Sequence, residues 1–416
     1  MKLSEELEKR GFIHQHTSES VADITDGESR TVYLGIDPSG DSAHVGHLVT
    51  WLLLRHLLAG GHKVIFLVGG GTGMIGDPKP DVERPLTPPE VVNERVEKLS
   101  MQAKRILGSE EITFVNNHDW LGQLNLIDFL RDTGKHFTVN ELIKKDAIAT
   151  RLESEIGLSY TEFAYPLLQA YDYLQLHEQH GCDLQIGGSD QWGNIVAGVD
   201  LVRRKTAHEA HAITVPLVID KATGKKFGKS EGNAVWLDPT QTSPYQFYQF
   251  WLNVSDESVI DYLKLYTTLT LEEIATIEQE FPMNPGARAA QKTLALAVTT
   301  LVHGDDAARN AKAVSNILFG DITKIISISQ AEIDMLIDST PHKNVSGNEL
   351  VVDLLVETNL ATSKREAKTF IESGAVSIND HTIDSVEATI EGIAFMGSVA
   401  VLRRGKKQLS VLVKEM

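Results

Sequence analysis

The stretch Tyr33-Leu34-Gly35-Ile36-Asp37-Pro38-Ser39-Gly40-Asp41-Ser42-Ala43-His44-Val45-Gly46-His47-Leu48 decides how this chain is read. An apolar run ends in a Pro/Ser/Gly turn, and a helix-period run then continues through Leu52 to Leu58. The pattern predicts strand, tight loop, helix. Two histidines and a glycine fall in the first helical turn, where unpaired backbone N–H groups and the helix dipole favour anions. A nucleotide phosphate site is the expectation.

Outward from this stretch, residues 31–36 and 63–68 read as buried strands joined by a helix over 44–59, a parallel strand–helix–strand unit. Five glycines then fall in the eight residues Gly69–Gly76, at the C-terminal end of a strand, where open α/β sheets bind ligands. Residues 79–89 are Pro-rich and charged and predict a loop. Further on come a helix near 90–107, a strand at 112–115, helices across 125–152 broken at Gly134, a helix over 161–179, a strand at 184–186, and a last strand at 213–219. This alternation predicts a Rossmann-like, doubly wound α/β catalytic domain over 1–220. A lysine- and glycine-rich loop occupies 221–240. An all-helical domain is expected over 241–325, a connector over 326–348, and a small α+β module over 349–416, with Ser363 and Glu366 spaced as a capping box.

With 416 residues, several domains are expected. The single cysteine, Cys182, suits a reducing compartment. The charged N-terminus lacks the apolar core of a signal peptide, and no apolar run approaches the roughly 20 residues that span a bilayer. A cytoplasmic protein without membrane contact is expected. A net charge of −18 argues against a protein that coats polyanions, yet leaves room for local basic patches such as Lys364-Arg365 with Lys368, and Arg403-Arg404. Each of these could equally be a solvated face.

The chemistry lies in three clusters. His44 and His47 can donate to phosphate oxygens whose charge grows in a transition state, and the small Gly46 lets a flat base lie on the helix start. Lys226-Phe227-Gly228-Lys229-Ser230 carries two ammonium groups between glycine hinges, fit to close over a polyphosphate. Tyr165, Gln169 and Asp172 stand at i, i+4 and i+7 and share one helix face, which suggests a lined pocket.

His44–His47 and Lys226–Ser230 resemble the two signature motifs of class I aminoacyl-tRNA synthetases. Together with Tyr33–Pro38, Gly76-Asp77-Pro78, Tyr165–Asp172 and Gln185–Asn194, they resemble the bacterial tyrosyl-tRNA synthetase family, and the last module resembles that family's S-four-type RNA-binding domain. The resemblance implies tyrosine–tRNA ligase activity with L-tyrosine, ATP, Mg²⁺ carried with the ATP, and tRNA(Tyr), in a homodimer. The helical domain would then bind the anticodon. It implies that Tyr33 and Asp172 bind the phenol hydroxyl, that Tyr165, Gln169 and Asp77 bind the α-amino group, and that Gln191 contacts tyrosine. Gly35, Asp37, Ser39, Gly46, Gly188 and Asp190 would surround the adenylate, and His44, His47, Lys226, Lys229 and Ser230 the reacting phosphates, with no resident metal. Ser39-Gly40 departs from the family's usual threonine-alanine. The segment Lys79–Leu86 also diverges, and no site residue is assigned there. Rival readings are a tryptophanyl-tRNA synthetase, a non-catalytic RNA-binding protein on the same scaffold, and a small-metabolite nucleotidyltransferase.

Overall fold

The computed structural model describes all residues except 80–81, 222–223, 225–226, 231–232, 321–328, 393–394, 396–397, 406–407 and 416. Six strands form the first sheet: β1 (Gln15–His16), β2 (Thr31–Ile36), β3 (Lys63–Val68), β4 (Thr113–Asn116), β5 (Cys182–Gly188) and β6 (His211–Val215). Their spatial order is β1-β6-β5-β2-β3-β4. β2 to β6 pair in parallel, and β1 lies antiparallel on the edge. The strands read as nearly unbroken apolar runs because helices cover both faces. In β3, Val64 through Val68 are all buried. β6 ends at Val215, earlier than the expected 219, because Pro216 has no N–H to continue the ladder.

β2 and β5 are neighbours, and the helices that follow them, Val45–Ala59 and Trp192–Thr206, lead away to opposite edges of the sheet. The C-terminal ends of β2 and β5 therefore flank the crevice where the winding direction reverses. The expected doubly wound fold is present.

By its packing the chain divides into two units, Met1–Gln241 with Val254–Leu294, and Thr242–Asn253 with Ala295–Met416. Residues 242–320 are helical as expected, with helices Pro244–Leu252, Val259–Tyr266, Leu271–Glu280, Ala289–His303 and Asp305–Phe319. This stretch is shared between the units. In the first, the buried Arg10 donates to the carbonyls of Lys264 at 3.2 Å and Leu269 at 2.7 Å, which fixes the end of helix Val259–Tyr266 to the N-terminal helix. A short antiparallel pair, β7 (Lys229–Ser230) with β8 (Asn233–Ala234), also lies in this unit.

In the second unit, Tyr245, Val314, Ile317, Leu318 and Leu336 share one core with Val399, Val401 and Val411. The segment expected as a connector contains helix Gln330–Ser339 and a strand, β9 (His342–Val345). The second sheet adds β10 (Val376–Ile378), β11 (His381–Thr382), β12 (Val399–Arg404) and β13 (Gln408–Lys414), in the order β11-β10-β12-β13-β9. Its other face packs on helices Val351–Glu357 and Lys364–Glu372. Ser363 caps the second of these helices by accepting from the Glu366 N–H at 3.2 Å. The return bond of the expected capping box goes instead to Thr362, whose N–H and hydroxyl each donate to the Glu366 carboxylate at 2.6 Å.

Candidate active site

His44 is the N-cap of helix Val45–Ala59, and the two histidines cap that helix reciprocally. His44 Nδ1 accepts from the Gly46 N–H at 3.0 Å, and His47 Nδ1 accepts from the His44 N–H at 3.2 Å. The rings stack at 3.9 Å. Because both Nδ1 atoms accept, the proton of each neutral ring is held on Nε2, as a donor to a ligand. Gly46 has a steric reason beyond the one read from the sequence. A Cβ at this position would sit 2.8 Å from Cε1 of His44 and displace the capping ring.

The lysine-rich loop stands on the same helix start. Val45 N–H donates to Val235 O at 3.0 Å, Val235 N–H to Gly228 O at 2.9 Å, and Leu237 N–H to Ala43 O at 2.9 Å. Phe227 is buried against Tyr262, with ring centroids 4.2 Å apart. Of the predicted loop residues, Lys226 lies outside the described residues, and Lys229 and Ser230 are described by their backbone in β7.

A cleft of about 360 Å³ opens at the ends of β2 and β5. It is lined by Tyr33, Gly35, Asp37, Ser39, His44, Gly46 and His47 from the opening stretch, by Asp77, Tyr165, Gln169 and Asp172, and by Gly188, Asp190 and Gln191. Every predicted site residue outside the lysine loop is therefore gathered at one place. Tyr165, Gln169 and Asp172 reach it from one face of helix Tyr160–His180, as their spacing predicts.

Three carboxylates are set by separate networks. Asp172 accepts from Trp120 Nε1 at 2.7 Å and from Asn117 Nδ2 at 2.9 Å. Asp37 accepts from the Tyr165 hydroxyl at 2.8 Å and the Thr72 hydroxyl at 2.7 Å. Asp77 accepts from Gln191 Nε2 at 2.9 Å and Asn194 Nδ2 at 3.2 Å. The glycine-rich loop makes the Asp37 network possible, since a Cβ on Gly69 would lie 2.2 Å from the Asp37 carboxylate. Burial pushes Asp172 up to about 7 and Asp37 up to about 6, against the lowering effect of their hydrogen bonds, and it also raises Asp77. Carboxylates held this way gain from a cationic ligand, which restores their charge compensation. At the buried end, the hydroxyl of Tyr33 (1% exposed) has no hydrogen-bond partner, and neither have Gln169 Oε1 and Gln185 Oε1. An unpaired buried donor or acceptor is costly, so these groups mark a place for a polar ligand atom. Among the described residues, no group of three or more His, Cys, Asp or Glu side chains converges as a metal site.

The structure adds Thr72, Asn117, Trp120, Asn194 and Arg84 to the site. Asn117 follows directly after β4, where the polar pair Asn116-Asn117 succeeding an apolar run was an available signal, and Trp120 lies on the next helical turn, His118–Leu121. Arg84 lies in the divergent segment, where the sequence offered none.

The chain matches the family model described as tRNA synthetases class I (W and Y) over residues 25–320. It also matches the tyrosine–tRNA ligase SYY-like C-terminal domain over residues 332–412. Tyrosine–tRNA ligase 2 of Enterococcus faecalis is 48% identical over 418 residues, covering 98% of each chain. The chain belongs to the tyrosine–tRNA ligase family. The family's reaction is the aminoacylation of tRNA. The tyrosine–tRNA ligase of Streptococcus uberis is 46% identical, covering 99% of this chain and all of its own. Among solved structures, a C-terminally truncated mitochondrial tyrosyl-tRNA synthetase of Aspergillus nidulans superposes with a TM-score of 0.69 at 30% identity, covering 76% of this chain and 94% of that one. A tryptophanyl-tRNA synthetase of Plasmodium falciparum shares the fold, with a TM-score of 0.54 at 15% identity. No helix among the described residues is long and apolar enough to cross a membrane.

Proposed function

We propose that this chain activates L-tyrosine with ATP and transfers it to the 3′ end of tRNA(Tyr). The observation that carries the amino-acid choice is the buried, unpartnered Tyr33 hydroxyl beside Asp172 at the closed end of the cleft. A phenol hydroxyl inserted there donates to the Asp172 carboxylate and accepts from Tyr33. The α-ammonium group is held by Asp77, Tyr165 and Gln169, with Gln191 against the substrate. An indole ring presents no hydroxyl to this end, and phenylalanine leaves the Tyr33 hydroxyl unpaired and gives Asp172 no further donor.

In the first step a tyrosine carboxylate oxygen attacks the α-phosphorus. A P–O bond forms as the bridging P–O bond breaks, and pyrophosphate leaves with that electron pair. Mg²⁺ enters and leaves on the phosphates as part of the substrate. The Nε2–H groups of His44 and His47, together with Lys226, Lys229 and Ser230, meet charge that grows in the transition state. Gly35, Asp37, Ser39, Gly46, Gly188 and Asp190 receive the adenylate, with Asp190 on the ribose. A hydroxyl of the tRNA's terminal ribose then attacks the activated carbonyl, and AMP departs.

The helical stretch 241–325 is proposed to read the anticodon, and the 349–416 module to hold tRNA through Lys364, Arg365 and Lys368. A homodimer is proposed from the exposed apolar side chains concentrated between residues 126 and 160: Leu126, Ile127, Leu130, Val139, Leu152 and Tyr160 are between 42% and 73% exposed. The workplace is the cytoplasm. The test is ATP–pyrophosphate exchange, which depends on tyrosine under this reading.

A further inference from the structure

A buried ion pair outside the cleft bonds to the backbone of a segment that reaches the cleft. Arg151, on helix Asp146–Glu153, is fully buried, and Glu162, in the first turn of helix Tyr160–His180, is 1% exposed. Arg151 Nη1 donates to Lys79 O at 2.9 Å, to Val82 O at 2.7 Å and to Glu162 Oε1 at 3.2 Å. Its Nη2 donates to Gly157 O at 2.6 Å and to Glu162 Oε2 at 3.0 Å. Glu162 Oε1 also accepts from the Arg84 N–H at 3.3 Å. The pair thus grips the backbone of the divergent segment at 79, 82 and 84. From that anchored backbone the Arg84 side chain reaches the cleft wall, where its Nε donates to Asp77 O at 2.7 Å and its charge acts on Asp37 and Asp77. Glu162 stands three residues before Tyr165, so helix Tyr160–His180 carries the acidic half of the pair as well as the pocket-lining groups Tyr165, Gln169 and Asp172.

We propose that Arg151 and Glu162 form a positioning pair that sets Arg84 against the cleft wall between Asp77 and Asp37, the carboxylate on the adenylate side, in register with the amino-acid pocket. This rests on the ligase reading above. The described residues of this segment belong to no helix or strand, so their geometry comes from whatever binds their backbone groups. A planar guanidinium with five donors can bind three carbonyls and a carboxylate at once, and an ammonium cannot. The pair touches no substrate. It acts through Arg84, and a displacement of about 1 Å there is enough to slow activation by up to roughly a hundredfold.

The test is a double-mutant cycle in tyrosine-dependent ATP–pyrophosphate exchange on the full chain, joining Arg151→Lys to Arg84→Ala. Alone, Arg151→Lys lowers kcat/KM for ATP by roughly ten- to a hundredfold, while tyrosine affinity from equilibrium binding stays within about twofold. In the Arg84→Ala background the same change costs less than about twofold, because the group it positions is gone. If Arg151→Lys does not fold, as judged by circular dichroism, Glu162→Gln replaces it in the same cycle. A full loss that persists in the Arg84→Ala background overturns the proposal, as does an equal loss of tyrosine affinity. An Arg84→Ala change that leaves exchange untouched also overturns it. Failure of the ligase reading looks different, because the unmutated protein then shows no tyrosine-dependent exchange.

Discussion

Replacing Asp172 by asparagine separates recognition of the phenol from every other part of the site. Asp172 is 2% exposed and accepts from both Trp120 and Asn117. Asparagine keeps the volume but turns one acceptor oxygen into an NH₂ group that must face one of those donors. A hydrogen bond to a charged group contributes about 1.5–3 kcal/mol, against about 0.5–1.5 for a neutral one, so the phenol contact weakens by about 1 kcal/mol or more. The mismatched buried donor lowers the stability of the protein by about 1–3 kcal/mol whichever amino acid is bound, and so cancels from the comparison. The weakened phenol contact alone corresponds to a loss of about five- to tenfold in kcat/KM for tyrosine. Phenylalanine has no hydroxyl to lose, so its exchange rate changes by less than about threefold, and KM for ATP is equally unaffected. Exchange measured with each amino acid across ATP concentrations reads all three quantities. Equal losses for tyrosine and phenylalanine, or a KM for ATP that rises with that for tyrosine, would refute the assignment of Asp172 to the phenol.

The same variant tests the electrostatics. Burial raises Asp172 from 3.8 to about 7, so between these values the folded protein holds a proton that the unfolded chain has released. Stability therefore falls as pH rises across that window, by up to about 4 kcal/mol, and Asp172→Asn removes this slope. The unmutated protein should lose more Tm between pH 5 and pH 8 than the variant does, and parallel profiles would contradict the burial argument. Gly46→Ala drives a methyl group into the His44 ring, so the cap loses about 1 kcal/mol and exchange slows by at least about tenfold with tyrosine binding intact; an unchanged rate would remove the histidine cap from the mechanism. Changing Lys364, Arg365 and Lys368 together to glutamate should weaken tRNA charging and flatten its salt dependence while exchange is spared, and unaffected charging would release that helix from tRNA contact. Aspartate at both Ile127 and Leu130 should shift the sedimentation of a dimer toward monomer, and an unmoved boundary would place the subunit contact elsewhere.

Legibility in the sequence followed the range of the interactions. The strand–turn–helix around Asp37 and His44 was readable because local periodicity and cap chemistry specify it. The stripe of Tyr165, Gln169 and Asp172 was readable from helical spacing alone. Asn117 and Trp120 escaped because they bond Asp172 across 55 and 52 residues of chain. The Arg151–Glu162 pair is not legible in the sequence, since its reach to residues 79–84 is a tertiary property. β9 was hidden in the expected connector because its partner, β13, lies at the far end of the module. The division of the helical stretch between two units likewise depends on which apolar faces meet, which helical periodicity does not specify.

The central claim is that the cleft selects tyrosine for adenylation. ATP–pyrophosphate exchange, run with tyrosine, tryptophan, phenylalanine and no amino acid in parallel, tests it most directly. Exchange that requires tyrosine and is at background with the other three is the predicted result. Exchange supported equally by tryptophan, or proceeding without any amino acid, would contradict it.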